Sequence, residues 1–167
     1  AVKSPAAPIA RGIGLDQPFF EDKNRAFWLL QSFGWAGYFI LRAINGFSNS
    51  MGAMWIIHTA LLTATGYSLT LLMASLFRRL IAMKPIWTLV LSLAVVVLSS
   101  IIFSIIETWS VATFLKPDLQ LSPRTYLSAI LLDFTLLAAW ASLYYGINYF
   151  LLLEDQIRLR ERLESQA

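Results

Sequence analysis

The chain has 167 residues, of which 57% are hydrophobic, 14% aromatic and 14% charged, with a formal net charge of +3 and no cysteine. A soluble domain carries about 25% charged and about 45–50% apolar residues, so a disordered chain, a basic nucleic-acid-binding domain and a disulfide-stapled secreted scaffold are excluded. The composition is that of a polytopic membrane protein, and at about 20 residues per crossing helix four spans nearly exhaust the length.

Residues 1–24 are polar and irregular, with Pro5, Pro8 and Pro18 and mixed charge. They read as a cytoplasmic tail or, around Phe19 to Asn24, a short interfacial helix. No basic start leads directly into an apolar stretch, so no cleaved signal peptide is expected. Four apolar spans follow, at about 26–47, 51–77, 85–109 and 126–153. Hydropathy this sustained leaves no face for water. Backbone groups in hydrocarbon must pair within their own segment, so the spans are helices. Asn45, Gly46 and Ser48-Asn49-Ser50 predict a tight turn between the first two. Pro85 opens the third helix, where its missing N–H costs nothing. Pro117 and Pro123 bracket the longest loop.

Orientation follows from the basic residues. The tail with Lys3, Arg11, Lys23 and Arg25, the loop with Arg78, Arg79 and Lys84, and the C-terminal segment with Arg158, Arg160 and Arg162 hold ten of the thirteen. Both termini are therefore expected in the cytoplasm. Trp28, Trp87, Tyr144, Tyr145 and Tyr149 are expected near the inner surface, and Trp55 and Trp109 near the outer one. The fold class is all-α: an antiparallel bundle of four transmembrane helices over 25–153. The last helix continues into a charged segment, 154–167, free of Gly and Pro. Leu152, Gln156, Leu159 and Leu163 form a thin seam there, spaced for a two-helix coiled coil that would relay a signal. The seam stops in mid-pattern, as at the start of a longer linker. The small residues Gly34, Gly37, Ala60, Ala64, Gly66 and Gly146 are assigned to helix packing, and Trp35 and Trp140 to the interior.

Ionisable residues inside spans are costly, and each needs an account. Arg42 lies about one and a half turns before the end of span one, His58 about two turns into span two, Glu107 in the final turn of span three and Asp133 about two turns into span four. In an antiparallel bundle all four fall in the outer leaflet at similar depth, on four helices. They form a candidate pocket for a small ligand, with Arg42 holding a carboxylate. A second reading makes His58, Glu107 and Asp133 a divalent-metal set, although no local metal-ligand motif is present. A third is structural: Arg42 pairs with Glu107 or Asp133, and His58 caps the network. No catalytic motif is present: no HExxH, GxSxG, Walker loop or Gly-rich nucleotide fingerprint. No cofactor is expected in this chain.

The run Arg25-Ala-Phe-Trp-Leu-Leu-Gln-Ser-Phe-Gly-Trp-Ala-Gly-Tyr38 resembles the opening of the membrane domain of bacterial sensor histidine kinases of the LytS/AlgZ type. Tyr144-Tyr-Gly-Ile-Asn-Tyr-Phe150 and the helix after it resemble the linker into their kinase core. The resemblance implies the sensory part of a homodimeric kinase in the bacterial inner membrane. ATP and Mg²⁺ would be needed only by a kinase core beyond this chain, and a response regulator would be the partner. His58 is not the phosphoacceptor, because it is intramembrane and lacks the flanking residues. No direct nucleic-acid contact is implied. Two other classes fit four short helices: a small transporter or channel subunit, and a membrane-anchoring subunit. Charged residues are missing from the inner half of the spans, which weighs against a relay across the membrane.

Overall fold

A computed structural model describes residues 23–118 and 120–167. The expected tail or interfacial segment lies outside them but for its last two residues. The described residues form four α-helices and no strand: α1 (Lys23–Ser48), α2 (Ala53–Leu80), α3 (Pro85–Ser110) and α4 (Pro123–Gln166). A π-helical turn, Val111–Leu115, continues α3 without a break. It closes when the Lys116 N–H donates to the Val111 carbonyl at 2.8 Å. The third apolar segment thus runs six residues past its expected end at Trp109, because the sequence stays free of helix breakers until Pro117.

Among the described residues three segments are long and apolar enough to cross a membrane: α2, α3 with its π turn, and α4. Helix α1 has the length, at 26 residues. Its apolar run is interrupted by Gln31, Arg42 and Asn45, so its composition alone does not mark it as a fourth.

The pattern of exposure is that of helices solvated by lipid. The buried face of α3 carries Thr88, Ser92, Ser99, Ser100, Ser104, Thr108 and Ser110. Ile86, Leu89, Leu93, Leu98, Ile102 and Ile105 point outward. Without water there is no hydrophobic force between helices, and small or hydroxyl-bearing residues allow close approach. Ser100 donates to the Val96 carbonyl at 2.7 Å and Ser104 to that of Ile101 at 2.9 Å, whereas the buried Thr108 hydroxyl has no hydrogen-bond partner. Thr88 reaches back to the Leu80 carbonyl at 2.5 Å, fastening the start of α3 to the end of α2.

Helix α1 ends in a capped turn. The Ser50 N–H donates to the Phe47 carbonyl at 3.2 Å and the Met51 N–H to that of Gly46 at 2.9 Å. This is the paired pattern of a left-handed helix cap. Its left-handed residue is Ser50, at φ 55°, where a Cβ is disfavoured. Ser50→Gly should therefore stabilise the fold by about 1 kcal/mol, read as a higher midpoint of thermal unfolding in detergent micelles, and Ser50→Val should lower it. Gly46 is helical and does not form the turn as the sequence suggested. A Cβ at Gly46 would run into the indole of Trp55.

The described residues divide into two compact units, Gln31–Leu143 and 23–30 with Tyr144–Ala167. In the first unit, α1 and α2 interlock through reciprocal glycines. Trp55 of α2 lies on Gly46 of α1, and Trp35 of α1 lies on Gly66 of α2. Beside Gly66 is a fully buried polar network. The Gln31 amide donates to Thr70 Oγ1 at 2.8 Å and to the Tyr67 carbonyl at 3.1 Å. Its carbonyl oxygen accepts from Trp140 Nε1 at 3.0 Å. Trp35 Nε1 donates to Thr70 Oγ1 at 3.0 Å, and the shortest outlet for the Thr70 proton is the Gly66 carbonyl at 2.8 Å. Every donor of the Gln31 amide and both indoles thus has an acceptor, which is what hydrocarbon demands of polar groups. The network ties together α1, α2 and α4.

In the second unit the Phe27 and Tyr144 rings meet edge to face at 6.2 Å, and Tyr145 stacks on Tyr149 at 6.2 Å. Arg158 and Glu154 form an i,i+4 ion pair at 2.5 Å. It is exposed, so its contribution is small. Leu152, Leu159 and Leu163 are all exposed, so the seam has no partner among the described residues.

Candidate functional site

The first unit brings Arg42, His58, Glu107 and Asp133 into one region, together with Tyr38, Trp55 and Ser110. Arg42 projects from α1 one turn after Tyr38, the spacing that puts two side chains on one helix face. Its guanidinium lies over the Tyr38 ring, 5.6 Å from the centroid, and over the Trp55 ring at 5.0 Å. Trp55 is held there by its own N–H, which donates to the Arg42 backbone carbonyl at 2.7 Å. Trp55 is therefore buried against the protein, at 8% exposure. The indole N–H that would face headgroups is used inside the protein.

His58 follows Trp55 by three residues, and their rings stand 5.5 Å apart. It is 1% exposed. Arg42 Nη2 approaches His58 Nε2 at 3.5 Å, and His58 Nδ1 is 2.7 Å from Ser110 Oγ. Arginine has no acceptor, so Nε2 accepts and Nδ1 carries the hydrogen donated to Ser110. The last residue of α3 thereby fixes the tautomer and ring plane of a histidine on α2.

Glu107 lies one turn before Ser110, and Asp133 is buried on α4. Each carboxyl keeps one buried oxygen, Glu107 Oε2 and Asp133 Oδ2, with no donor within reach. Arg42 acts on Asp133 through its charge and forms no ion pair with it or with Glu107; the ion pair among the described residues is Arg158–Glu154. The expected pairing of Arg42 with an acid is thus replaced by cation–π contacts and the imidazole. Two aromatic faces next to a cation are the cheaper partners where a desolvated cation–π contact is worth about 2 kcal/mol. Arg42 Nε also remains without an acceptor.

The three readings of the cluster fare differently. Among the described residues no group of three or more His, Asp or Glu side chains is placed to hold a metal ion, and the two His58 ring nitrogens are turned to Arg42 and Ser110. A cavity of about 280 Å³ opens at the α1–α2 turn. It is lined by Gly46, Phe47, Ser50, Met51, Gly52, Trp55 and Ile56, and none of the four charged residues reaches it. Trp55 alone belongs to both places: it lines the cavity and carries the Arg42 guanidinium over its ring. The π turn directly after Ser110 adds an irregular element of the kind found beside functional sites.

Residues of two kinds escaped the sequence reading. Tyr38 and Ser110 complete the cluster. The i,i+4 relation of Tyr38 to Arg42 was the available signal for the first, and nothing local marked the second. Gln31 and Thr70 were also missed, although an amide in mid-span always requires a partner. No family model, curated protein or solved structure matches the chain.

Proposed function

We propose that this chain is the membrane-embedded sensory and signal-transmitting domain of a bacterial sensor histidine kinase. It would cross the inner membrane four times with both termini in the cytoplasm. The observation that carries the proposal is α4. One uninterrupted helix of 44 residues, more than twice the about 20 needed to cross, contributes Asp133 to the charged cluster near its start and bears the exposed Leu152, Leu159 and Leu163 near its end. A stimulus that favours one packing of the cluster shifts the population of that state, and α4 is the element common to both ends. A tenfold shift needs about 1.4 kcal/mol, within reach of one desolvated charge contact.

The partner at the seam is a second copy of the chain. With Leu152 and Leu159 at d and Gln156 and Leu163 at a, Asp155 occupies a g position and Arg160 the e position of the next heptad. Only a parallel, in-register pair sets Asp155 against the partner's Arg160, and two copies inserted the same way in one membrane are parallel. Gln156 in the seam would fix that register at some cost in stability.

The test is phosphorylation of the complete encoded protein in membrane vesicles supplied with labelled ATP. The expected result is an alkali-stable, acid-labile phosphohistidine whose rate of formation changes with Arg42→Gln. Absence of phosphohistidine would reject the kinase assignment and leave the transporter and anchoring readings.

A further inference from the structure

We propose that the α2–α3 loop binds an anionic phospholipid, with Arg78, Arg79 and Lys84 on the phosphate and Met83, Ile86 and Trp87 against the acyl chains. The inference goes beyond the sensory reading and needs only that α2 and α3 lie in the membrane. It starts from unmatched charge. Arg78 and Arg79 stand in the last turn of α2, and Lys84 directly precedes α3. All three are exposed. No Asp or Glu occurs between Asp22 and Glu107, and Glu107 is about 35 Å along α3 from the loop. None of the three cations belongs to an ion pair among the described residues. The C-terminal segment is the contrast, since Glu154, Asp155, Glu161 and Glu164 there offset Arg158, Arg160 and Arg162. The two arginines suit the C-terminal end of α2, where a helix dipole favours cations. Lys84 does not suit its place: it meets the positive end of the α3 dipole, and the first turn of α3 carries no acid. An anion in the loop offsets both charges.

The apolar half of the site adjoins the cations. Met83, Ile86 and Trp87 are all exposed, within three residues of Lys84, where headgroup gives way to acyl chain. Tryptophan is the side chain that suits that boundary. The loop is also held in place. The Met83 N–H donates to the Leu80 carbonyl at 3.1 Å, the Thr88 N–H to that of Lys84 at 3.0 Å, and Thr88 Oγ1 to that of Leu80 at 2.5 Å. A loop already held in place loses little freedom on binding. Basic residues at a membrane surface attract anionic lipids, whereas phosphatidylcholine brings a cation of its own. A free phosphate would leave the apolar half unused.

Thermal unfolding of the 167-residue chain in maltoside micelles, titrated with dioleoylphosphatidylglycerol and followed by helical circular dichroism, tests this. The midpoint should rise by several degrees and saturate. Dioleoylphosphatidylcholine and inorganic phosphate, each at the same concentration, should leave it unchanged. Each of Arg78→Gln, Arg79→Gln and Lys84→Gln should raise the lipid concentration needed for half the shift about fivefold, and the triple variant should lose the shift. Because the three side chains are exposed, every variant should match the parent midpoint without added lipid. The triple variant Arg158→Gln, Arg160→Gln, Arg162→Gln should respond to the lipid as the parent does. A parent without the shift, single and triple loop variants that keep the parent's response, or an equal response to phosphatidylcholine or to inorganic phosphate would overturn the proposal.

Discussion

Gly66→Leu should break the α1–α2 interlock at Trp35 and cause a large loss of stability. Even a Cβ at Gly66 would occupy the space of the Trp35 ring, and the rest of a leucine side chain cannot be accommodated by a small rotation. Trp35 is 5% exposed and Gln31 and Thr70 are fully buried, so the indole has no vacant volume to move into. Its displacement breaks the bond to Thr70 Oγ1. Overpacking costs about 1–3 kcal/mol, and a buried donor left without a partner adds about 1–3 kcal/mol. The total of roughly 4 kcal/mol is a large part of the stability of an ordinary domain. Thermal unfolding in micelles, followed by helical circular dichroism, should show a much lower midpoint. Gly34→Leu is the matching control: nothing lies within 4 Å of a Cβ at Gly34, and its midpoint should hold.

Arg42→Leu should also cost stability, through electrostatics instead of volume. The leucine removes the cation from over Tyr38 and Trp55 and from beside His58 Nε2. It also leaves Asp133 without the charge that acts on it. A loss of about 2 kcal/mol is expected from the cation–π contacts, and more from the unbalanced acids. Because the cost is shared between Arg42 and the acids, Asp133→Asn in the Arg42→Leu background should restore part of it. Contacting residues in one network couple by about 0.5–3 kcal/mol. Arg42→Lys should fall between the two, since an ammonium keeps the charge but lacks the planar group that covers two rings.

The proximity of the charged residues was legible in the sequence because it needed only helix boundaries and the direction of each helix. Arg42, His58, Glu107 and Asp133 sit one to two turns from the ends that an antiparallel bundle places together, and the structure gathers them. The contacts inside the cluster were not legible. Whether Arg42 meets an acid or an aromatic face depends on helix rotation, and hydropathy this uniform along the spans does not encode rotation. The serine and threonine face of α3 encodes it better, since it is the buried side. The small residues misled in part: Gly66 and Gly46 receive tryptophans, but Gly34, Gly37 and Gly146 face open space, and Ala60 and Ala64 are exposed. Size permits a close approach without requiring one. The end of α4 was read correctly as helix because it lacks Gly and Pro, whereas a coiled-coil partner lies outside a single chain.

Single-cysteine labelling most directly tests a bundle that senses at its outer side and signals through the end of α4. The chain has no cysteine, so Met51→Cys, in the α1–α2 turn, and Ser165→Cys, near the end of α4, each introduce one thiol. With a membrane-impermeant maleimide on intact spheroplasts, Met51→Cys should label at once and Ser165→Cys only after permeabilisation. Labelling of Ser165→Cys in intact spheroplasts would place the end of α4 outside the cell and contradict the account.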